Sequence, residues 1–112
     1  MDIARAESEE VWLPQPDLAQ LDVGVVLQAL AESARLQIVR SLRTAGESTC
    51  SALDVPIKVS TVSHHMHILR ESGIVSTRLA GTARPSRLRE RELDERFPGL
   101  LSAVLDAAPP KR

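Results

Sequence analysis

Three histidines, His64, His65 and His67, fall within four positions of one another, and Cys50 is the single cysteine of the chain. Imidazole and thiolate groups are common metal ligands, and both can exchange protons near neutral pH. Spacing restricts these uses here. Projected as a helix at about 100° per residue, the segment from 60 to 71 places Ser60, His64, His67 and Glu71 on one side and Val62, Met66 and Leu69 on the other. Ser63 and Arg70 lie on a flank, and His65 falls nearer the apolar side. His64 and His67 stand at i and i+3 and could share a metal, but two nitrogens need further donors. No nearby Cys, Asp or His supplies an obvious third, so no metal site is assigned. Catalysis would need a pocket, a nucleophile and an orienting carboxylate. The pattern offers none of these, so no catalytic residue is assigned. An exposed helix face of short polar groups, preceded by a turn and flanked by arginines, suits the reading of duplex DNA.

The elements that must hold this face follow from periodicity and punctuation. After prolines at 14 and 16, Asp17 is placed to cap a helix from 18 to 31 whose apolar residues are almost continuous, so it must be covered on more than one side. Ser33 is placed to cap a second helix ended by Gly46, with Leu36, Val39 and Leu42 inward and Arg35, Arg40 and Arg43 left in solvent. A short third helix is expected from Ser48 to Leu53. Pro56 forbids its continuation, and a tight connection leads to the fourth helix, Ser60 to Glu71, which Gly73 ends. Two helices joined by so short a turn make a helix-turn-helix. Past Gly73, IVSTRL and TARPSRLR around Ala80 and Gly81 read as a two-stranded hairpin, with Pro85 tolerated beside a free edge. Arg78, Arg84, Arg87 and Arg89 make that hairpin a basic arm. LDERFPGLLSAVLDA returns to helix, with Pro98 in its first turn.

At 112 residues, with 43% hydrophobic and 26% charged content, the chain has the composition of one globular domain and no run of the ~20 apolar residues that crosses a bilayer. The expected division is a flexible tail over 1–16, one domain over 17–107 and a second flexible tail over 108–112. MDIARAESEE is acidic and does not read as a secretory signal, and a lone cysteine forms no internal disulfide, so the expected compartment is the cytoplasm. The formal net charge of −1 hides a segregation. Residues 1–32 carry seven acids against Arg5 alone, whereas 58–91 carry Lys58 and six arginines against Glu71 and Glu90. Such local basic density suits phosphate neutralisation.

The segment STVSHHMHILRESGIV, residues 60–75, resembles the recognition helix of the ArsR-type winged-helix transcriptional regulators, which typically runs Ser-x-Val-Ser-x-His-Leu and then Leu-Arg-x-Ala-Gly-Leu-Val. ALAESARLQIVRSL and LDERFPGLLSAVL are similar to that family's second helix and C-terminal end, so the resemblance spans about residues 20–105. It implies a mainly α winged helix-turn-helix of about five helices with a two-stranded wing, dimerising through its terminal helices. It further implies a cytoplasmic regulator, more often a repressor, that binds a palindromic operator in double-stranded DNA as a homodimer. By position, Ser60, Thr61, Ser63, His64 and His67 would face the groove, and Arg70 a phosphate or a neighbouring acid. Arg84 and Arg87 would meet phosphate or the minor groove. His65 would pack between helices. The family often has Gln where this chain has Val59 and a Ser or Thr cap where it has Lys58; Val59 can at most touch a thymine methyl, whereas Lys58 can hold phosphate or guanine.

Many members sense metals through a Cys-x-Cys pair or through acidic and histidine ligands on the last helix. Thr49 and Ser51 occupy the matching pair of positions, and the last helix has neither His nor Cys. No cofactor is therefore expected, with a metal effector bound by other ligands, a redox role for Cys50, a co-regulator protein and no effector at all left open. The alternatives to a plain regulator are a metal-responsive version using a non-cysteine site and a protein-interaction adaptor that has lost DNA binding.

Overall fold

The computed structural model describes residues 10–107. Its elements are a short 3-10 turn at Leu18–Gln20, α1 (Val23–Leu30), α2 (Ser33–Ala45), β1 (Glu47–Ser48), α3 (Val59–Glu71), β2 (Val75–Thr77), β3 (Ser86–Leu88), α4 (Glu90–Arg96) and α5 (Leu100–Asp106). The three strands form one antiparallel sheet in the order β1-β3-β2. Among the described residues no helix is long and apolar enough to cross a membrane.

The first apolar segment does not run as one helix. Leu21 and Asp22 are extended, and the Asp22 carboxylate accepts from the backbone N–H of Gly24 (2.8 Å) and Val25 (3.2 Å), so Asp22 rather than Asp17 caps α1. A carboxylate this close to several amides competes with helix continuation and favours a start. The break swings Leu21 into the core, where it is buried beside Gly73. Glu32 likewise takes the cap expected of Ser33, accepting from Ala34 N at 2.7 Å.

The expected helix from Ser48 to Leu53 is absent. Gly46, at φ +83°, turns the chain out of α2 and delivers Glu47 and Ser48 to the sheet, opposite Arg87 and Ser86. The following residues form a turn in which Thr49 Oγ1 accepts from Ala52 N at 3.3 Å. Hydroxyls at 48, 49 and 51 compete locally for backbone groups and weaken helix there. The hairpin thereby gains a third strand. β3 becomes the central one, and Pro85 lies just outside it, its carbonyl accepting from Arg78 N at 3.1 Å.

The C-terminal segment is also two helices. Pro98 sits in the turn between them rather than in a first helical turn, and Gly99 adopts φ +79°. The first strongly packed layer comprises Ile38, Val39 and Leu42 of α2, Val62 and Leu69 of α3, and Ile74 and Val75, all at most 1% exposed. Arginines of α2 expected in solvent are structural instead. Arg40 donates to the carbonyls of Leu105 (3.2 Å) and Ala107 (3.1 Å), and Arg43 pairs with Asp106 at 2.7 Å. Helix C-termini leave carbonyls unpaired and carry partial negative charge, so a cation there is well placed.

Residues 10–16, expected as part of a flexible tail, lie along the wing. Leu13 N donates to Thr77 O (2.8 Å), Leu79 N donates to Val11 O (2.9 Å), and Trp12 bridges antiparallel to Arg78. The remainder of that tail, 1–9, and the whole of the second, 108–112, lie outside the described residues.

Candidate nucleic-acid interface

The faces of α3 fall where the projection puts them. Val62, Met66 and Leu69 are buried, and Ser60, Thr61, Ser63, His64 and His67 are exposed along one continuous side. His65 is buried between α2 and α3. Arg35 Nη1 lies 3.2 Å from its Nδ1, and because arginine has only donors, that ring nitrogen accepts. The His64 and His65 rings stand 5.6 Å apart at 54° to one another, yet they point into different environments.

His67 is held by its own helix. Its Nδ1 accepts from Arg70 Nη2 at 2.9 Å, and its Nε2 lies 3.2 Å from Glu71 Oε2. Arg70 is thus spent on His67 rather than aimed at an acid, and its Nε is buried without a partner among the described residues. At the other end of α3, Lys58 occupies the N-cap position with no side-chain cap hydrogen bond, and Val59 is 49% exposed. Both lie at the mouth of the turn 54–58, where a lysine suits phosphate and a valine offers only a methyl surface.

The wing divides its arginines. Arg78 Nε and Nη2 each donate to Glu47 at 2.9 Å, and Glu10 lies 3.2 Å from the same Nε. The hydrogen bonds from Arg78 hold the Glu47 carboxyl below its ordinary pKa, and Glu47 raises that of Arg78 in turn. Arg89 is 4% exposed and donates to Pro16 O at 2.8 Å. Neither is free to meet a phosphate, so the expected four-arginine arm reduces to Arg84 and Arg87. Arg84 is exposed at the tip, where its Nη1 donates to the carbonyls of Gly81 (3.0 Å) and Ala83 (2.8 Å). Arg87 is exposed on β3, its guanidinium carbon 4.9 Å from the centre of the Trp12 ring.

Trp12 is the component that the polar look of the N-terminus concealed. The only sequence signal for it is the strand-prone triplet Val11-Trp12-Leu13 ahead of Pro14. Its partners lie more than sixty residues away and leave no local trace.

A polar face on α3, preceded by the turns over 49–58 where a short helix was expected and flanked by a basic three-stranded wing, gives the form of a DNA-binding protein of the winged helix-turn-helix class. The helix-turn-helix domain family matches residues 30–78. The chain is 30% identical over 82 residues to the "Uncharacterized HTH-type transcriptional regulator YceK" of Bacillus subtilis, covering 70% of this chain and 82% of that one. It is 40% identical over 65 residues to the "Putative arsenical resistance operon repressor ArsR" of Halobacterium salinarum, covering 55% of this chain and 50% of that one. The crystal structure described as "Possible transcriptional regulator for arsenical resistance" superposes with a TM-score of 0.55 at 31% identity, over 74% of this chain and 96% of that one. The chain belongs to the ArsR-type winged helix-turn-helix regulators, and it is a DNA-binding transcription regulator of that type.

Proposed function

We propose that this chain is a cytoplasmic homodimeric repressor that recognises a palindromic operator, with α3 in the major groove and the wing against the flanking backbone. The observation that carries the reading is the exposed polar side of α3, Ser60, Thr61, Ser63, His64 and His67, standing opposite its buried side. The α3 residues supply base choice. Lys58, Arg84 and Arg87 supply phosphate contacts, and Arg70 acts by steadying His67.

A homodimer is supported by the apolar surface left on α1, where Val23 and Leu27, one turn apart on the same side, are each 45% exposed. Apolar side chains clustered on one short helix favour burial against a second subunit. Two copies of α3 related by a twofold axis would meet half-sites about one helical turn, ~34 Å, apart. Among the described residues of one chain, no group of three or more His, Cys, Asp or Glu is placed to hold a metal ion.

Selection of bound duplexes from a random-sequence pool at physiological salt tests the reading. It is expected to return an inverted repeat. Recovery of unrelated sequences with no common half-site would overturn it and favour an adaptor.

A further inference from the structure

The N-terminal segment extends the wing sheet and delivers one aromatic ring to it. Register fixes which side that ring occupies. Ser76 pairs with Arg87, Arg87 pairs with Glu47, and Trp12 bridges to Arg78, two residues along from Ser76. Paired residues share a face, and so do residues two apart on a strand. Trp12, Arg78, Ser76, Arg87 and Glu47 therefore stand on one side of the sheet, away from Val75 and Leu88, which enter the core.

Two contacts cross on that face. Arg78 reaches Glu47 over β3, and Arg87 reaches Trp12 over β2. Ser76, beneath the crossing, is only 2% exposed although its face is the outer one. The double hydrogen bond from Arg78 also occupies Glu47, the carboxylate opposite Arg87 in register. Arg87 is left on an aromatic ring with no hydrogen-bond partner among the described residues. A ring engages the flat face of a guanidinium and leaves its in-plane N–H donors for phosphate oxygens.

We infer that Trp12 is a positioning residue for DNA binding: its ring holds the Arg87 guanidinium on the outer face of the wing, ready for a backbone phosphate. This inference rests on the DNA-binding role of Arg87 proposed above. It extends the interface beyond the helix-turn-helix match over 30–78, which contains neither residue.

Phosphate contacts are independent of sequence, so a random-sequence duplex serves as the probe, with affinity measured across a salt series. Arg87→Ala is expected to lower the log–log salt slope by about 0.9 for each phosphate it leaves unneutralised. Trp12→Leu keeps apolar bulk without a π face and is expected to weaken binding about two- to fivefold. Trp12→Phe should restore part of that affinity. In an Arg87→Ala background Trp12→Leu should have no further effect. Because Trp12 is the sole tryptophan, its fluorescence should change on adding DNA to the wild type and should differ in free Arg87→Ala.

Wild-type affinity in Trp12→Leu at every salt concentration, or a loss of equal size with and without Arg87, overturns the inference. Should Trp12→Leu lose its cooperative melting, the same cycle run with Trp12→Phe decides, with about a twofold loss expected that vanishes without Arg87. Failure of the wild-type protein to bind any duplex at low salt would remove the DNA-binding reading and this inference together. Wild-type binding with an indifferent Trp12 removes the inference alone.

Discussion

Arg35 Nη1 lies 3.2 Å from His65 Nδ1 while the same guanidinium donates from Nε to Ala29 O at 2.6 Å, so one side chain ties the end of α1 to the inner flank of α3. Replacing His65 by leucine removes the acceptor and leaves a partly buried cation donor unpaired. A hydrogen bond to a charged group is worth about 1.5–3 kcal/mol. His65→Leu should cost about 1–2 kcal/mol in urea denaturation, part of the loss being offset by the added apolar burial. His64→Ala, on the exposed side of the same helix, should stay within about 0.5 kcal/mol of the wild type. Equal losses for the two would mean that they do not occupy different environments.

DNA binding should separate the helix from the wing in another way. Arg84 is exposed at the wing tip, and a phosphate contact carries no sequence information. Arg84→Ala should therefore weaken binding to operator and random DNA by similar factors and reduce the salt slope by about 0.9 per phosphate. His64→Ala should change which operator variants bind, at a cost of about 1–3 kcal/mol on the preferred half-site if it makes a paired base contact. Gel shifts at several salt concentrations measure both. Identical losses on specific and random DNA for the two variants would abolish this division.

Glu47 gives stability a pH dependence of known sign. The folded pKa of its carboxyl is lowered, chiefly by the Arg78 hydrogen bonds. A carboxylate with a depressed folded pKa contributes stability that is full above its unfolded pKa and lost as pH falls through the folded value. At neutral pH Glu47→Gln should be less stable than the wild type. The gap should close as the solution is taken below the ordinary carboxylate range. Because both side chains are partly exposed, 28% for Arg78 and 35% for Glu47, added salt should shrink the gap as well. A gap that widened in acid would contradict the assignment.

What could be read from the sequence was what repeats locally. The apolar stripe of α3, its polar opposite face and the stop at Gly73 depend on contacts three or four residues apart, and periodicity reports them directly. The helix-turn-helix and the family followed from that segment. The fate of the arginines did not, because Arg43 meets Asp106, Arg89 meets Pro16 and Arg78 meets Glu47 across long stretches of chain. A charge in a sequence shows neither its partner nor its burial. The missing helix at 48–53 failed for a related reason. Two residues of β1 are held by the edge of a distant β3, and a strand so short has no period of its own.

Gly73 should be far less replaceable than Gly46, although both have positive φ, +87° and +83°. At Gly46 an added Cβ meets nothing within 4 Å. Its backbone, at φ +83° and ψ −59°, lies outside the left-handed helical region, so an alanine there meets backbone strain of about 1–3 kcal/mol and no steric clash. At Gly73 it would collide with Leu21 Cδ2 and come within 3.3 Å of Pro16 Cγ. Leu21 is 3% exposed and has little room to retreat, so overpacking adds about 1–3 kcal/mol to the strain. Thermal melts of Gly73→Ala and Gly46→Ala should therefore differ, with Gly73→Ala the lower. Equal melting would show that the segment 16–21 moves aside freely.

The proposed dimer can be tested on α1 without disturbing the core. Val26, Ala29 and Leu30 form its buried side, whereas Leu27 is 45% exposed. A charge at Leu27 meets water in a monomer and should change its stability by no more than about 0.5 kcal/mol. In a dimer packed through this helix the same charge would be buried without a partner. Breaking such an interface with an unpaired charge costs several kcal/mol, enough to dissociate subunits at micromolar concentration. Sedimentation equilibrium should accordingly give about twice the chain mass of 12.2 kDa for the wild type and the single mass for Leu27→Glu. Since two linked half-site contacts bind far more tightly than one, Leu27→Glu should also lose operator affinity while keeping its helical circular dichroism. A Leu27→Glu protein that sediments as the wild type does would place the subunit contact away from this face of α1.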